Sequence, residues 1–162
     1  MSYFELSLVF NNREEPMIVR DADLIKKIPI LVRSVEESNP GWNKPCSAPI
    51  PVPFRYEAGK FVLAHLRDYV HPDQIEGKVD VARDYPAADE LSLAELRGVI
   101  ELANYFECTD FVQCIGCVIA SKLDNMEVKE VAEYLGLKYR EPTATDDFQQ
   151  WLHPAAFITF LR

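Results

Sequence analysis

Apolar positions recur along this chain with several distinct periods, and each period predicts an element. Residues 3–10 alternate in part and are rich in aromatic and branched side chains. Asn11-Asn12-Arg13 then supplies a turn, and Pro16-Met17-Ile18-Val19 returns, which predicts a β-hairpin. Leu24, Ile25, Ile28, Leu31, Val32 and Val35 follow at helical spacings of three and four. Proline is tolerated in a first helical turn and not in a helix interior. Pro29 therefore divides this stretch into a short turn over Asp21–Lys27 and a helix from about Ile28 to Glu37. Pro49-Ile50-Pro51-Val52-Pro53-Phe54 cannot be a central strand, because proline gives the ladder no donor; it fits an edge strand or an extended lead into the next helix. That helix is expected over Glu57–Val70, with Leu63, Leu66 and Val70 as its stripe, joined by Phe61, Val62 and Tyr69. Residues 71–90 are polar, acidic and punctuated by Pro72, Gly77 and Pro86, and read as a long, flexible loop.

The second half is helical almost throughout. Ser92-x-x-Glu95 is a capping box ahead of a face made by Leu93, Leu96, Ile100 and Ala103. Thr109 or Asp110 opens a helix carrying Phe111, Val112, Ile115, Val118, Ile119 and Leu123. Asp124-x-x-Glu127 is a further capping signal before Val128, Val131, Ala132 and Leu135, and Gly136 stands where a left-handed stop belongs. A last apolar segment, Phe148–Leu161, is interrupted by Pro154. Strands and helices followed by a run of helices predict an α+β domain with a helical C-terminal lobe, and no internal repeat is visible.

Charge narrows the class of partner. Against 17 Lys+Arg stand 26 Asp+Glu, a net charge of −9, which disfavours nucleic acid and anionic lipid and favours basic partners. No apolar run approaches the roughly 20 residues of a spanning helix, so no membrane partner is expected. The N-terminal stretch lacks a basic leader and holds Glu5 among its apolar residues, unlike a signal peptide. Cys46, Cys108, Cys114 and Cys117 then read as reduced thiols in the cytoplasm or nucleus.

Candidate chemistry is sparse. Cys114-Ile115-Gly116-Cys117 has the spacing of a redox pair or half a zinc site. It has no second CxxC, and it lies inside a predicted helix rather than at a helix start or knuckle, so cysteine as a small apolar core filler explains it better. The adjacent pairs Asp146-Asp147 and Glu14-Glu15 do not face each other in any regular element. There is no HExxH, GxSxG, P-loop or GxGxxG. The reading is a non-enzyme with no cofactor and no metal. What stands out instead is the excess of large apolar groups late in the chain, which suits a protein partner as readily as internal packing.

Residues 92–138 supply a resemblance. Leu93-Ala94-Glu95-Leu96-Arg97-Gly98-Val99-Ile100-Glu101-Leu102-Ala103-Asn104-Tyr105-Phe106 resembles the "ANYL" helix of the S-phase kinase-associated adaptor of SCF ubiquitin ligases. The similarity runs without a gap through Thr109-Asp110-Phe111-Val112, Val118-Ile119-Ala120 and Val128-Lys129-Glu130-Val131 to Leu135-Gly136-Leu137. The earlier elements occur in the order of a BTB/POZ fold. Elongin C shares that part but ends before the last helices, so the segment 124–152 favours the F-box adaptor.

The resemblance implies a BTB/POZ-like domain over 1–123, with long loops at 39–53 and 71–90, and a C-terminal helical extension over 124–162. It also implies a non-enzymatic adaptor that joins an F-box protein to a cullin, active in the cytoplasm and nucleus. Asn104 and Tyr105 stand at the cullin-contacting positions. Val112, Ile119, Leu123, Val131, Leu135 and Leu137 stand at apolar positions facing the F-box, and Trp151 matches the tryptophan near the family's C-terminus. The chain departs from the pattern at Thr143–Gln150, which is shorter by about one helical turn, and at the ending Leu152–Arg162. The loop at 71–90 lacks the family's usual tryptophan, and Asn39–Ala48 is enlarged. The alternative is a BTB-type scaffold or self-association module acting outside ubiquitin ligases, and self-association is possible when no F-box protein is bound.

Overall fold

A computed structural model describes residues 3–140 of the chain. It is a mixed α+β structure that divides into two compact units, Met1–Asn125 and Met126–Arg162. The first contains a three-stranded sheet. Strand β1 (Leu6–Phe10) lies in the middle, β2 (Met17–Val19) antiparallel on one side, and β3 (Ile50–Val52) parallel on the other. Along β1 the side chains of Leu6, Leu8 and Phe10 are buried while Ser7 and Val9 are half-buried, the alternation a sheet with one core face requires. Register pairs Leu6 with Val19 and Leu8 with Ile50. The proline-rich segment is thus an edge strand, with the proline-free positions Ile50 and Val52 turned inward relative to exposed Pro51.

Between β2 and β3 run α1 (Ala22–Ile25) and α2 (Pro29–Ser38), divided as Pro29 requires. Asp21 caps α1 by accepting from the Leu24 amide at 3.0 Å. Asn39 closes α2, and its buried side-chain amide donates to the Lys44 carbonyl at 2.7 Å, folding the 39–48 loop back on itself. After β3 come α3 (Tyr56–His65), α4 (Val81–Asp84), α5 (Pro86–Asp89), α6 (Leu93–Tyr105) and α7 (Thr109–Leu123). Helix α6 packs against both α3 and α7. One continuous core joins Phe4, Leu6, Leu8 and Phe10 of the sheet to Val62, Leu96, Leu102, Phe106, Ile115 and Val118 of the helices. The second unit contributes α8 (Val128–Leu135) to the described residues.

Four expectations shift. The helix expected over 57–70 ends at His65, because the chain turns there to bring Tyr69 onto Phe111, the two rings stacked at 5.4 Å and 16°. Residues 71–90 carry a 3-10 turn at Pro72–Gln74 as well as α4 and α5. Tyr85 anchors the segment: its ring is fully buried and its hydroxyl donates to the Val70 carbonyl at 2.6 Å. A single buried aromatic has no period, so hydropathy alone reads the segment as loop. The core face of α6 is Leu96, Val99, Leu102 and Ala103, rotated from the expected Leu93 and Ile100, which are half-buried. Finally, the capping box of α8 is Glu127 with Glu130 rather than Asp124 with Glu127, while α7 opens at Thr109 as expected, after an N-cap Cys108 that makes no side-chain hydrogen bond. The capping boxes at Ser92–Glu95 and Glu127–Glu130 each satisfy two amides that no carbonyl inside the helix can reach. The Phe148–Leu161 segment lies outside the described residues.

Candidate protein-interaction surfaces

The candidate residues fall into two sets. The first, Asn104 and Tyr105, closes α6. The helix stops without glycine or proline: Glu107 takes a left-handed backbone at φ 61°, the Cys108 amide donates to the Ala103 carbonyl at 3.0 Å, and the Glu107 amide donates to the Asn104 carbonyl at 3.0 Å. This is a Schellman closure with glutamate where glycine is usual. A side chain held there is strained, and the Arg33 guanidinium of α2 compensates by donating to both carboxylate oxygens of Glu107, at 2.8 and 2.9 Å. The same pair holds the Glu107 carboxyl below its ordinary range.

This closure leaves Asn104 exposed, and its side-chain amide makes no hydrogen bond among the described residues. Tyr105 is half-buried, its ring packed against Phe54 at 5.2 Å. Phe54 is fixed in turn by the hairpin, since the Asn11 amide donates to its carbonyl at 3.0 Å. Asn12 does a second job there. Its side-chain oxygen accepts from the Tyr56 amide at 2.7 Å, and its amide donates to Glu57 at 3.0 Å. The hairpin turn therefore caps α3 from outside the helix. Sequence reading finds the turn at Asn11-Asn12 and misses this role, along with Phe54, Arg33 and Glu107. The signal for Glu107 was a helix break between Tyr105 and Thr109 with no glycine or proline to make it.

The second set is apolar and divides between the two units. On α7, Val112, Ile119 and Leu123 are half-buried, flanking the fully buried line of Phe111, Cys114, Ile115 and Val118. Val112 and Ile119 pack against the core, which accounts for much of their surface. On α8, Val131 is half-buried, while Leu135 is 49% and Val128 71% exposed. Val128, Val131, Ala132 and Leu135 lie at spacings of three and four and share one face of the helix. Gly136 ends it at φ 71°, with the Leu137 amide donating to the Ala132 carbonyl at 2.8 Å, and Leu137 is 42% exposed just beyond. Trp151 lies outside the described residues.

The CxxC pair is built for packing. Cys114 is fully buried, its sulfur 3.4 Å from the Val70 carbonyl that also accepts from Tyr85. Burial raises both the Cys114 and Cys117 thiols above their ordinary value, opposite to what a reactive thiolate needs. Among the described residues no three His, Cys, Asp or Glu side chains gather as a metal site. An open hollow between Lys78–Arg83 and the end of α7 is lined by Lys78, Arg83, Asp80 and Asp124, charges of both signs without a focused field. No helix among the described residues is long and apolar enough to cross a membrane. Neither a protein-family profile nor a curated protein sequence matches the chain.

Proposed function

We propose that this protein is a non-enzymatic adaptor of an SCF-type cullin-RING ubiquitin ligase, with a BTB/POZ fold that binds a cullin and C-terminal helices that bind an F-box substrate receptor. The observation that carries this reading is that part of each residue set assigned to a partner is exposed: Asn104 near the end of α6, and Leu135 and Leu137 at the end of α8. Asn104, whose side chain has no hydrogen-bond partner among the described residues, stands next to Tyr105, the last residue of α6, whose ring packs on Phe54. The apolar stripe of α8 has exposed ends at Val128 and Leu135 and a half-buried middle at Val131 and Ala132. A small mixed sheet flanked by helices is compatible with the BTB/POZ fold, and the ungapped resemblance over 92–138 spans α6, α7 and α8. A half-exposed apolar stripe suits an amphipathic helix laid into a groove. An interface of that kind has a dry apolar centre and a polar rim, which the glutamates beside the stripe would supply.

Affinity purification of the tagged chain from its own cells, followed by mass spectrometry, tests the reading. An F-box protein recovered together with a cullin supports it. A different stoichiometric partner with neither of these would overturn it. The exposed face of α8 also suits a second copy of the chain, the self-association reading. Sedimentation of the purified protein separates the two, because a clean 18.5 kDa monomer excludes a stable homodimer.

A further inference from the structure

Four side chains converge on the corner that follows α6, and they hold it at two depths. Phe106 and Cys108 are buried, and the Cys108 sulfur lies 3.7 Å from the Lys27 carbonyl, which ties the inner side of the corner to the segment leading into α2. The outer side is gripped by the Arg33–Glu107 fork, whose side chains are 61% and 47% exposed. Arg33 reaches the corner from 74 residues away in sequence, carried by a helix that Leu31 and Val35 anchor in the core.

The fork acts on the backbone that carries Asn104. At φ 61° Glu107 sits where an L side chain is disfavoured, and from there its amide donates to the Asn104 carbonyl while the Cys108 amide reaches the Ala103 carbonyl. A right-handed Glu107 could not keep this pair of bonds, and the last turn of α6 would rewind. Tyr105 has a further anchor in the Phe54 ring. Asn104 is exposed, so the direction of its side chain follows the turn. A guanidinium suits the task because it engages both carboxylate oxygens and so fixes the orientation of Glu107 as well as its place.

We propose that Arg33 is a positioning residue: acting through Glu107, it locks the end of α6 in the shape that presents Asn104 and Tyr105 to a protein partner. That this partner is a cullin rests on the adaptor reading; the lock itself does not.

Amide exchange followed by NMR on the full-length chain tests the lock without any partner. In Arg33→Gln the Glu107 and Cys108 amides should exchange about three- to fivefold faster than in the wild type, the range that an exposed ion pair supports. Amides of β1 and of the centre of α7 should be unchanged, which guards against a variant that merely misfolds. The Arg33→Gln/Glu107→Gln double variant should be no faster than either single one, because each removes the same fork. Raising salt from about 0.01 M to 1 M should speed the two amides in the wild type and leave Arg33→Gln unmoved, a response that packing of the Arg33 stem would not give. Wild-type exchange in Arg33→Gln, or a double variant faster than both singles, would overturn the lock. In the affinity purification, Arg33→Gln should recover less cullin by a similar factor and an unchanged amount of F-box protein. Faster exchange with full cullin recovery would overturn the positioning role. A wild-type chain that recovers no cullin would instead sink the adaptor reading, and the exchange result would still decide the lock.

Discussion

Gly59 sits in α3 where a methyl group would land 2.2 Å from two carbons of the Phe10 ring, so the sheet's last core residue and the helix touch backbone to ring. Gly59→Ala must push Phe10 out of its site, and overpacking of this kind costs about 1–3 kcal/mol or more. The expected result is a lower urea midpoint with an unchanged slope; a wild-type midpoint would mean that the ring moves freely. Thiol chemistry reports on the same core. Burial, helped by the Glu107 charge, pushes Cys108 up to about 11, and Cys114 is fully buried. With an alkylating reagent near pH 8, half-buried Cys46 and Cys117 should be modified first. Cys108 and Cys114 should follow only as the protein opens. Fast labelling of Cys114 in the folded state would contradict its role as a packing residue.

At the scale of elements, the end of α6 is the most informative. Glu107 occupies a backbone conformation that glycine adopts without strain, and its one compensation is the fork with Arg33. Glu107→Ala keeps the strain and loses the fork, whereas Glu107→Gly loses the fork and relieves the strain. Thermal melts should therefore rank alanine below glycine; the reverse order would show that the left-handed turn carries no strain. The fork also has a pH signature. The carboxylates of Glu107, Asp21 and Asp84 are held below their ordinary range, chiefly by the guanidinium groups of Arg33, Arg67 and Arg83. A lowered folded-state value means the stabilisation is complete above the ordinary carboxylate pKa of about 4. It is lost as pH falls through the folded value. Midpoint temperatures should drop on acidification below about pH 4, and Arg33→Gln should flatten that drop. An identical acid profile in the variant would remove the Arg33–Glu107 pair from the account.

Elements with a strong period were legible in the sequence: the hairpin, the split at Pro29, the edge strand at Ile50–Val52, the Ser92 capping box and the Gly136 stop all carry local signals. What escaped reading was non-local. Tyr85 is held by the carbonyl of Val70 across fifteen residues, and Asn12 caps a helix forty-four residues away. Neither leaves a pattern within a window of one element. The candidate surfaces divide the same way. The α8 stripe follows from helical phase, whereas Asn104 is singled out only by the family resemblance of its helix. Phe54 and Arg33, which hold the first surface in place, are brought there only by the fold.

Over the whole molecule, apolar residues split into those that hold the structure and those left facing outward. Leu102 is fully buried between the helices of the first unit, and Leu102→Ala should cost about 2–5 kcal/mol. Leu135 is half exposed on the second unit, and Leu135→Ala should change global stability by no more than about 0.5 kcal/mol. If the adaptor reading is right, the same Leu135 variant should capture less F-box protein in the affinity purification while folding normally. Equal capture by the variant and the wild type would take Leu135 out of the partner surface.

The prolines of the third strand have one more consequence. Successive residues of a strand point their amides to opposite sides, and Pro49, just before β3, and Pro51, in its middle, are two residues apart and so share one side. The outward side of that strand therefore has no amide protons to offer at those positions. Toward the start of β1 the same edge is occupied by Pro45 and Cys46, the latter donating its amide to Glu5 at 2.7 Å. A foreign strand arriving there finds few donors, so the sheet cannot be lengthened from molecule to molecule across that border. Crowded copies of this protein are thereby kept from joining into a fibril through β3, whatever their helices bind.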